Sequence, residues 1–164
     1  NINWFRMYEN SKTYSSTNTS LGVVSEMIWG SQWDQIMIWM RKVANDKNTA
    51  NTNTFYVVNA VGMGNYGVDA SGTTKTTKAV AETGSTTDYE VKNIYDLAGN
   101  VYDWTLEANN TNNRVNRGGN YYNNGNNNPA SNRNNNNPTN NNGNNTFRST
   151  LILFQIMYFK EYIQ

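Results

Sequence analysis

Few side chains in this sequence could do chemistry, and two of the usual kinds are missing. There is no His, which removes the general base that works near neutral pH and the commonest metal ligand. There is no Cys either, so disulfides, thiolate nucleophiles and thiolate-bound metals are excluded, and the redox compartment is unreadable. The remaining titratable groups, such as Asp96, Asp103 and Glu107, show no paired arrangement of the kind acid–base catalysis needs. The glycine-punctuated run Gly62-Met63-Gly64-Asn65-Tyr66-Gly67 superficially resembles a phosphate-cradling loop. It lacks the Lys-Ser/Thr ending, and no helical pattern follows, so it reads as a plain loop.

The elements that must position these residues are read from the apolar pattern. Ser31 and Asp34 resemble a capping box, and Trp33, Ile36, Met37, Met40 and Val43 recur at three- and four-residue steps. The spacing predicts a helix from about Gln32 to Val43, whose Trp and Met stripe is core. Thr54-Phe55-Tyr56-Val57-Val58 is β-branched and aromatic and predicts a strand. Residues 71–88 are small and polar and suit a long exposed connection. With 164 residues, 13% aromatics and 15% charged residues, the chain is long and apolar enough for one domain with a real core. A net charge of +1 predicts no bulk attraction to nucleic acid or to an anionic membrane. No apolar run reaches membrane-spanning length, and residues 1–10 do not read as a secretory signal. Position 1 is Asn, as in a processed chain or a fragment.

Four blocks then occur in a fixed order. Asp96-Leu97-Ala98-Gly99-Asn100-Val101-Tyr102-Asp103-Trp104 resembles the "DLxGNVWEW" segment of the formylglycine-generating (sulfatase-modifying) enzyme family. Arg114-Val115-Asn116-Arg117-Gly118-Gly119-Asn120 is similar to that family's "RVxRGGSW". Pro129-Ala130-Ser131-Asn132-Arg133 resembles its "xxRSAxR", and Thr146-Phe147-Arg148 its terminal "GFR". Upstream, Gly30-Ser31-Gln32-Trp33-Asp34 is similar to a helix start in family members of gut bacteria and their prophages. The resemblance implies an α+β, C-type-lectin-like fold: a small twisted antiparallel sheet, two helices and long loops on one face. It does not carry the enzymes' chemistry here. The family's oxidases hold copper with a cysteine pair and related sulfoxide synthases hold iron with histidines, and Asn amides and carboxylates replace neither well.

The resemblance also runs through an abrupt change in composition. Residues 109–145 hold twenty-one Asn in thirty-seven positions, against twelve in residues 1–108 and none in 146–164. A prion-like low-complexity tract would lack internal order. Here the Asn are threaded through Arg117, Gly118, Gly119, Pro129, Arg133, Pro138, Gly143, Phe147 and Arg148. That pattern resembles the variable region of a protein served by a diversity-generating retroelement. Such systems replace template adenines, and Asn codons begin with two of them. The resemblance implies that Asn marks the positions meant to vary. The candidate ligand-binding residues are therefore Asn112, Asn113, Asn116, Asn120, Tyr121, Tyr122, Asn123, Asn124, Asn126, Asn127 and Asn128, followed by Asn132, Asn134, Asn135, Asn136, Asn137, Asn140, Asn141, Asn142, Asn144 and Asn145.

The remaining expectations follow from those two resemblances. A single domain divides into a scaffold (1–108), a variable region (109–148), and a closing strand with tail (149–164), in which Leu151-Ile152-Leu153-Phe154 closes the sheet. Residues 155–164 go beyond where family chains usually stop, and the domain itself is expected to be truncated at its N-terminal side. Arg114, Arg117, Arg133 and Arg148, with no acid between Glu107 and Glu161, have the pattern of a nucleic-acid patch. Each sits on a family block, so structural salt bridges or hydrogen bonds are the preferred reading. Asn100 and Asp103 fall where family enzymes place calcium ligands, and they are the metal candidates. No other cofactor is expected, and no membrane insertion. The expected partner is a variable protein or glycan on a cell surface, met by several copies of a non-catalytic domain on a phage tail or bacterial surface. A non-diversified scaffold domain and a residual enzyme are the alternatives.

Overall fold

The computed structural model describes residues 2–42 and 56–153. It opens with α1 (Trp4–Ser11), where the Asn3 side chain accepts a 3.0 Å hydrogen bond from the Arg6 amide and caps the first turn. Trp4 and Tyr8, one turn apart, stack in parallel at 5.4 Å. A short helix α2 (Thr13–Thr17) leads to strand β1 (Val23–Met27).

Helix α3 (Gly30–Lys42) begins two residues before the expected start. The Trp29 amide is taken by the Gln32 side chain at 2.8 Å, and the Trp33 amide donates to the Trp29 carbonyl. The box is thus built around Trp29 and Gln32, because a Gln at the third helical position reaches back farther than Asp34 can. Trp33, Met37 and Met40 form its buried stripe as the spacing predicts, while Val43 lies outside the described residues. The strand expected over residues 54–58 is a correction. Residues 56–58 are helical, with Tyr56 and Val57 fully buried beside α3, and residues 54 and 55 lie outside the described set. Local β-propensity yields here to burial on all sides, a regular outcome for short apolar runs.

Five short strands follow before the end of the Asn-rich segment: β2 (Glu90–Val91), β3 (Ile94–Tyr95), β4 (Tyr102–Ala108), β5 (Arg114–Arg117) and β6 (Arg133–Asn136). Strands β7 (Asn145–Phe147) and β8 (Ser149–Leu153) are the last elements among the described residues. The main sheet has the order β6-β5-β4-β7, with β4 and β7 parallel and the other neighbours antiparallel. The sheet is therefore mixed, where a purely antiparallel one was expected. The parallel pair arises because β7 returns from the long Asn-rich excursion on the far side of β4. Strand β8 pairs not with that sheet but with β1, antiparallel from Val23↔Leu153 to Met27↔Ser149. Phe154 lies outside the described residues.

Two apolar clusters sit on opposite faces of β4. Trp104 packs with Met7 and Met27 under α1, while Trp33, Met37, Met40, Tyr56, Tyr66 and Leu97 form the larger core on the α3 side. Alternation along the strand sends Tyr102 and Trp104 one way and Asp103 and Thr105 the other.

Candidate ligand-binding surface

The Asn-rich segment starts on the outer half of the main sheet. In β5 and β6 the register is Arg114↔Asn136, Val115↔Asn135, Asn116↔Asn134 and Arg117↔Arg133. Asn134 and Asn136 therefore share the α1-side face with Trp104 and Asn116, and Arg133 and Asn135 face the α3 side. Strand β6 ends the sheet, and Arg133, Asn134 and Asn135 are exposed.

A frame of charged and glycine residues holds that platform. Glu107 takes the Arg117 guanidinium at 2.9 Å on one oxygen and Arg133 Nε at 2.7 Å on the other. Arg117 also meets Asp34 of α3 at 3.1 Å. The Glu107 carboxylate thus ties β4, β5 and β6 together, and Arg117 carries the link on to Asp34 of the helix. Behind it, Gly118 has φ +82, and a Cβ there would lie 2.8 Å from the Leu97 carbonyl oxygen. Only glycine meets both conditions. Arg148 donates from Nε to Asp103 at 2.7 Å and from Nη2 to the Asp96 carbonyl at 2.6 Å. Arg117, Arg133 and Arg148 are thus bound to acids within the fold, while Arg114 donates to the Asn110 and Asn113 carbonyls at 3.4 Å and lies over the Trp4 ring.

The segment between the strands is held by its main chain. The Tyr121 amide donates to the Asn100 carbonyl, the Gly67 amide to the Asn123 carbonyl and the Ala60 amide to the Gly125 carbonyl, at 2.9, 3.0 and 2.9 Å. The Tyr66 hydroxyl donates to the Asn128 carbonyl at 2.6 Å. Farther on, the Trp33 indole donates to the Ala130 carbonyl, the Ser131 hydroxyl to the Val57 carbonyl and the Tyr102 amide to the Asn144 carbonyl. None of these bonds uses an Asn side chain. Each would survive a change of side chain at the Asn it touches.

The Asn side chains themselves divide by burial. Asn112, Asn126, Asn127, Asn134, Asn135, Asn137, Asn141, Asn142 and Tyr122 are exposed. Asn113, Tyr121, Asn123, Asn124, Asn128, Asn132, Asn136, Asn140 and Asn144 are half-buried. Asn116, Asn120 and Asn145 are buried, which separates them from the surface the sequence pattern suggests. Asn116 donates to Asn145 at 3.1 Å, and Asn120 accepts from the Tyr122 amide at 2.9 Å. Several of the others fold back onto nearby backbone amides, as Asn110, Asn124 and Asn137 do. Tyr121 and Tyr122 meet at 4.4 Å between ring centres. Burial and the neighbouring Tyr122 raise the Tyr121 hydroxyl pKa.

Two residues escaped the sequence reading. Tyr102, buried at the floor of this face, has its hydroxyl pKa raised by burial, against the opposing pull of the Asn134 and Asn123 side chains. The alternation Tyr102-Asp103-Trp104 carried the signal, since it places both rings on one face. Glu107 was weighed only as an acid–base group, and its role is to join two arginines.

The calcium candidates are engaged otherwise. The Asn100 side chain accepts from the Ala81 amide at 2.9 Å and donates to the Ala81 carbonyl at 3.0 Å, clamping the polar connection. Asp103 carries the Arg148 guanidinium where a cation would need to sit. Burial raises the Asp103 carboxyl pKa, and the Arg148 guanidinium at 2.7 Å opposes the rise. Asn100 and Asp103 do not fit a calcium site. Among the described residues, no three His, Cys, Asp or Glu gather as metal ligands. Two concavities among the described residues, one between α3 and β8 lined by Ile28, Gln32, Ile36 and Leu151, the other beside Met37 and Arg41, include no residue of the Asn-rich set. No described helix is long and apolar enough to cross a membrane.

An α+β domain with a small sheet, few helices and long anchored loops is the class these features define. The model of the sulfatase-modifying factor enzyme 1-like domain matches residues 32–151, and the chain belongs to that family. Its fold is also that of Treponema denticola variable protein 1, a solved structure, with a TM-score of 0.52 and 18% identity. The likeness covers 77% of this chain and 47% of that one, so the chain spans about half the length of that structure. No curated protein matches.

Proposed function

We propose that this is a non-catalytic, diversifiable ligand-binding domain whose Asn-rich segment is altered by a retroelement and displayed on a phage tail or bacterial surface. The observation that carries the reading is the mode of attachment. The segment is fastened by backbone carbonyls and amides and by Arg117, Gly118, Ala130, Ser131 and Arg133, and all but three of its Asn residues are exposed or half-buried. A surface built this way tolerates replacement of side chains while its loops keep their course. The contact set comprises the exposed and half-buried residues, with Asn116, Asn120 and Asn145 internal. Its partner is a cell-surface protein or glycan. The similarity to a solved structure whose name is "variable protein" agrees with this.

Catalysis of the family's oxidative kind is not part of the reading. Without Cys or His the chain has neither the thiolates that soft copper prefers nor the imidazoles of oxygenase iron. The genomic locus tests the proposal. A reverse-transcriptase gene beside a near-identical repeat that differs only at adenines is expected. A solitary gene with no repeat of residues 109–148 overturns it.

A further inference from the structure

The outer edge of β6 is a row of main-chain groups facing away from the sheet. The Gly118 amide donates to the Asn132 carbonyl at 3.2 Å, which sets the phase of the β5–β6 ladder. By alternation, the N–H and C=O groups of residues 134 and 136 point to β5, and those of 133 and 135 point outward. Beyond the strand, the Asn137 carbonyl is taken by the Asn140 amide at 3.0 Å. Among the described residues no strand lies on that side. Natural edges of this kind are blunted by lysine, proline, bulges or covering loops. Here Arg133 is drawn to Glu107, and Pro138 comes only after the strand has ended.

Something else occupies the outward donors. The Asn135 amide donates to the Asn134 side chain at 2.9 Å, and the Asn137 amide donates to the Asn136 side chain at 2.8 Å. Both caps come from residues in the Asn-rich set, so the groups that close the edge are themselves positions proposed to vary.

We infer that the outer edge of β6 is a docking edge for an extended peptide segment of the ligand, and that the side chains at 134 and 136 decide whether it is open. An extended chain presents a carbonyl and an amide on one side at every second residue, about 7 Å apart, which matches the outward groups of 133 and 135 and the amide of 137. Such bonding does not depend on the ligand's side chains, so it supplies a constant contact beneath a changing surface. Asn, or Asp as its charged counterpart, holds the edge closed; Ala or an aromatic residue frees it. This rests on the proposed function, because only variation at 134 and 136 would make the gate matter.

The test is NMR on the full chain. In the Asn134→Ala/Asn136→Ala variant, the Asn135 and Asn137 amides should exchange about fivefold faster, as loss of one ordinary hydrogen bond gives. Asn134→Asp/Asn136→Asp should keep both protected, which separates capping from any general loosening. An acetylated, amidated Thr-Val-Thr-Val-Thr peptide should then shift the 133–137 resonances of the Ala variant alone. The same peptide N-methylated at alternate residues should shift nothing. Unchanged exchange, an equal response of the parent chain, an equal response to the methylated peptide, or the same shifts from xylohexaose would each overturn the inference. Sequences of sister copies report separately on the proposed function: invariance at 134 and 136 sinks that reading, whereas variation there without a peptide response sinks only the edge.

Discussion

At the scale of single residues, the charges that looked idle in the sequence carry the frame. Glu107→Ala would leave the buried Arg117 guanidinium with only Asp34, an exposed partner. Removing one member of a buried pair costs more than the pair is worth, because a charge is left uncompensated. With Asp34 still at hand, the variant should lose about 2 kcal/mol in urea unfolding; a loss below about 0.5 kcal/mol, the scale of ordinary surface changes, would show that the junction is ornamental. Asp96 makes the opposite case. It is 5% exposed, and neither carboxylate oxygen has a partner at full hydrogen-bond geometry. Burial raises its pKa, and the Thr83 side chain, the Arg148 charge and Asn100 oppose the rise without cancelling it. The folded state therefore holds this proton more tightly than the unfolded chain does. Its contribution is most favourable below the ordinary Asp value near 4 and is lost as pH rises through the folded pKa. Asp96→Asn should thus stabilise the protein by about 1 kcal/mol at pH 8, and the gain should shrink toward pH 4. A gain that grew on acidification would refute the assignment. Asn also suits the left-handed backbone at that position, where φ is 54.

At the scale of elements, what could be read in advance depended on whether the signal was periodic or contextual. Helix α3 was legible because Trp33, Met37 and Met40 repeat at helical spacing, and only its cap was displaced toward Trp29. The four family blocks were legible as ordered strings and now appear as β4, β5, β7 and the anchors before β6. Residues 56–58 were not legible, since a short run of aromatic and β-branched residues fits a buried helical turn as well as a strand. The parallel entry of β7 and the β1–β8 pair depend on long-range return of the chain, which no local pattern encodes. The split of the Asn set was hidden for a related reason. Identical residues carry no in-or-out pattern, so Asn116 and Asn135 look alike in the sequence although one is buried and the other exposed. Asn116→Tyr should overpack its site and cost about 2 kcal/mol, whereas Asn135→Tyr should stay within about 0.5 kcal/mol of the parent. Thermal or urea unfolding of the two variants compares them directly. Equal costs would mean that the platform does not distinguish inside from outside.

At the scale of the whole molecule, a rigid frame and a replaceable surface predict weak attachment by this particular copy. Binding energy concentrates in a few aromatic and arginine anchors, and short amides bury little apolar area. Among the exposed and half-buried contact set the aromatics are Tyr121 and Tyr122, which touch each other. Monovalent affinity for a cell-surface ligand should be no better than roughly micromolar, about −8 kcal/mol, with firm attachment coming from several copies on one particle. Calorimetry with the isolated domain reads this, and Tyr121→Ala and Tyr122→Ala should abolish what binding there is. A nanomolar partner indifferent to both changes would mean that the Asn surface is itself a selected site.

The central claim is that one set of positions is made to change while the frame around it is kept, and sequencing this locus across a population measures that directly. The account predicts substitutions confined to Asn codons of the 109–145 segment, at their adenines, and concentrated at exposed positions such as Asn126, Asn135 and Asn141. Gly118, Gly119, Pro129, Arg133 and Arg148 should be invariant across the same copies. Substitutions spread evenly over both sets, or falling at bases other than template adenines, would contradict it.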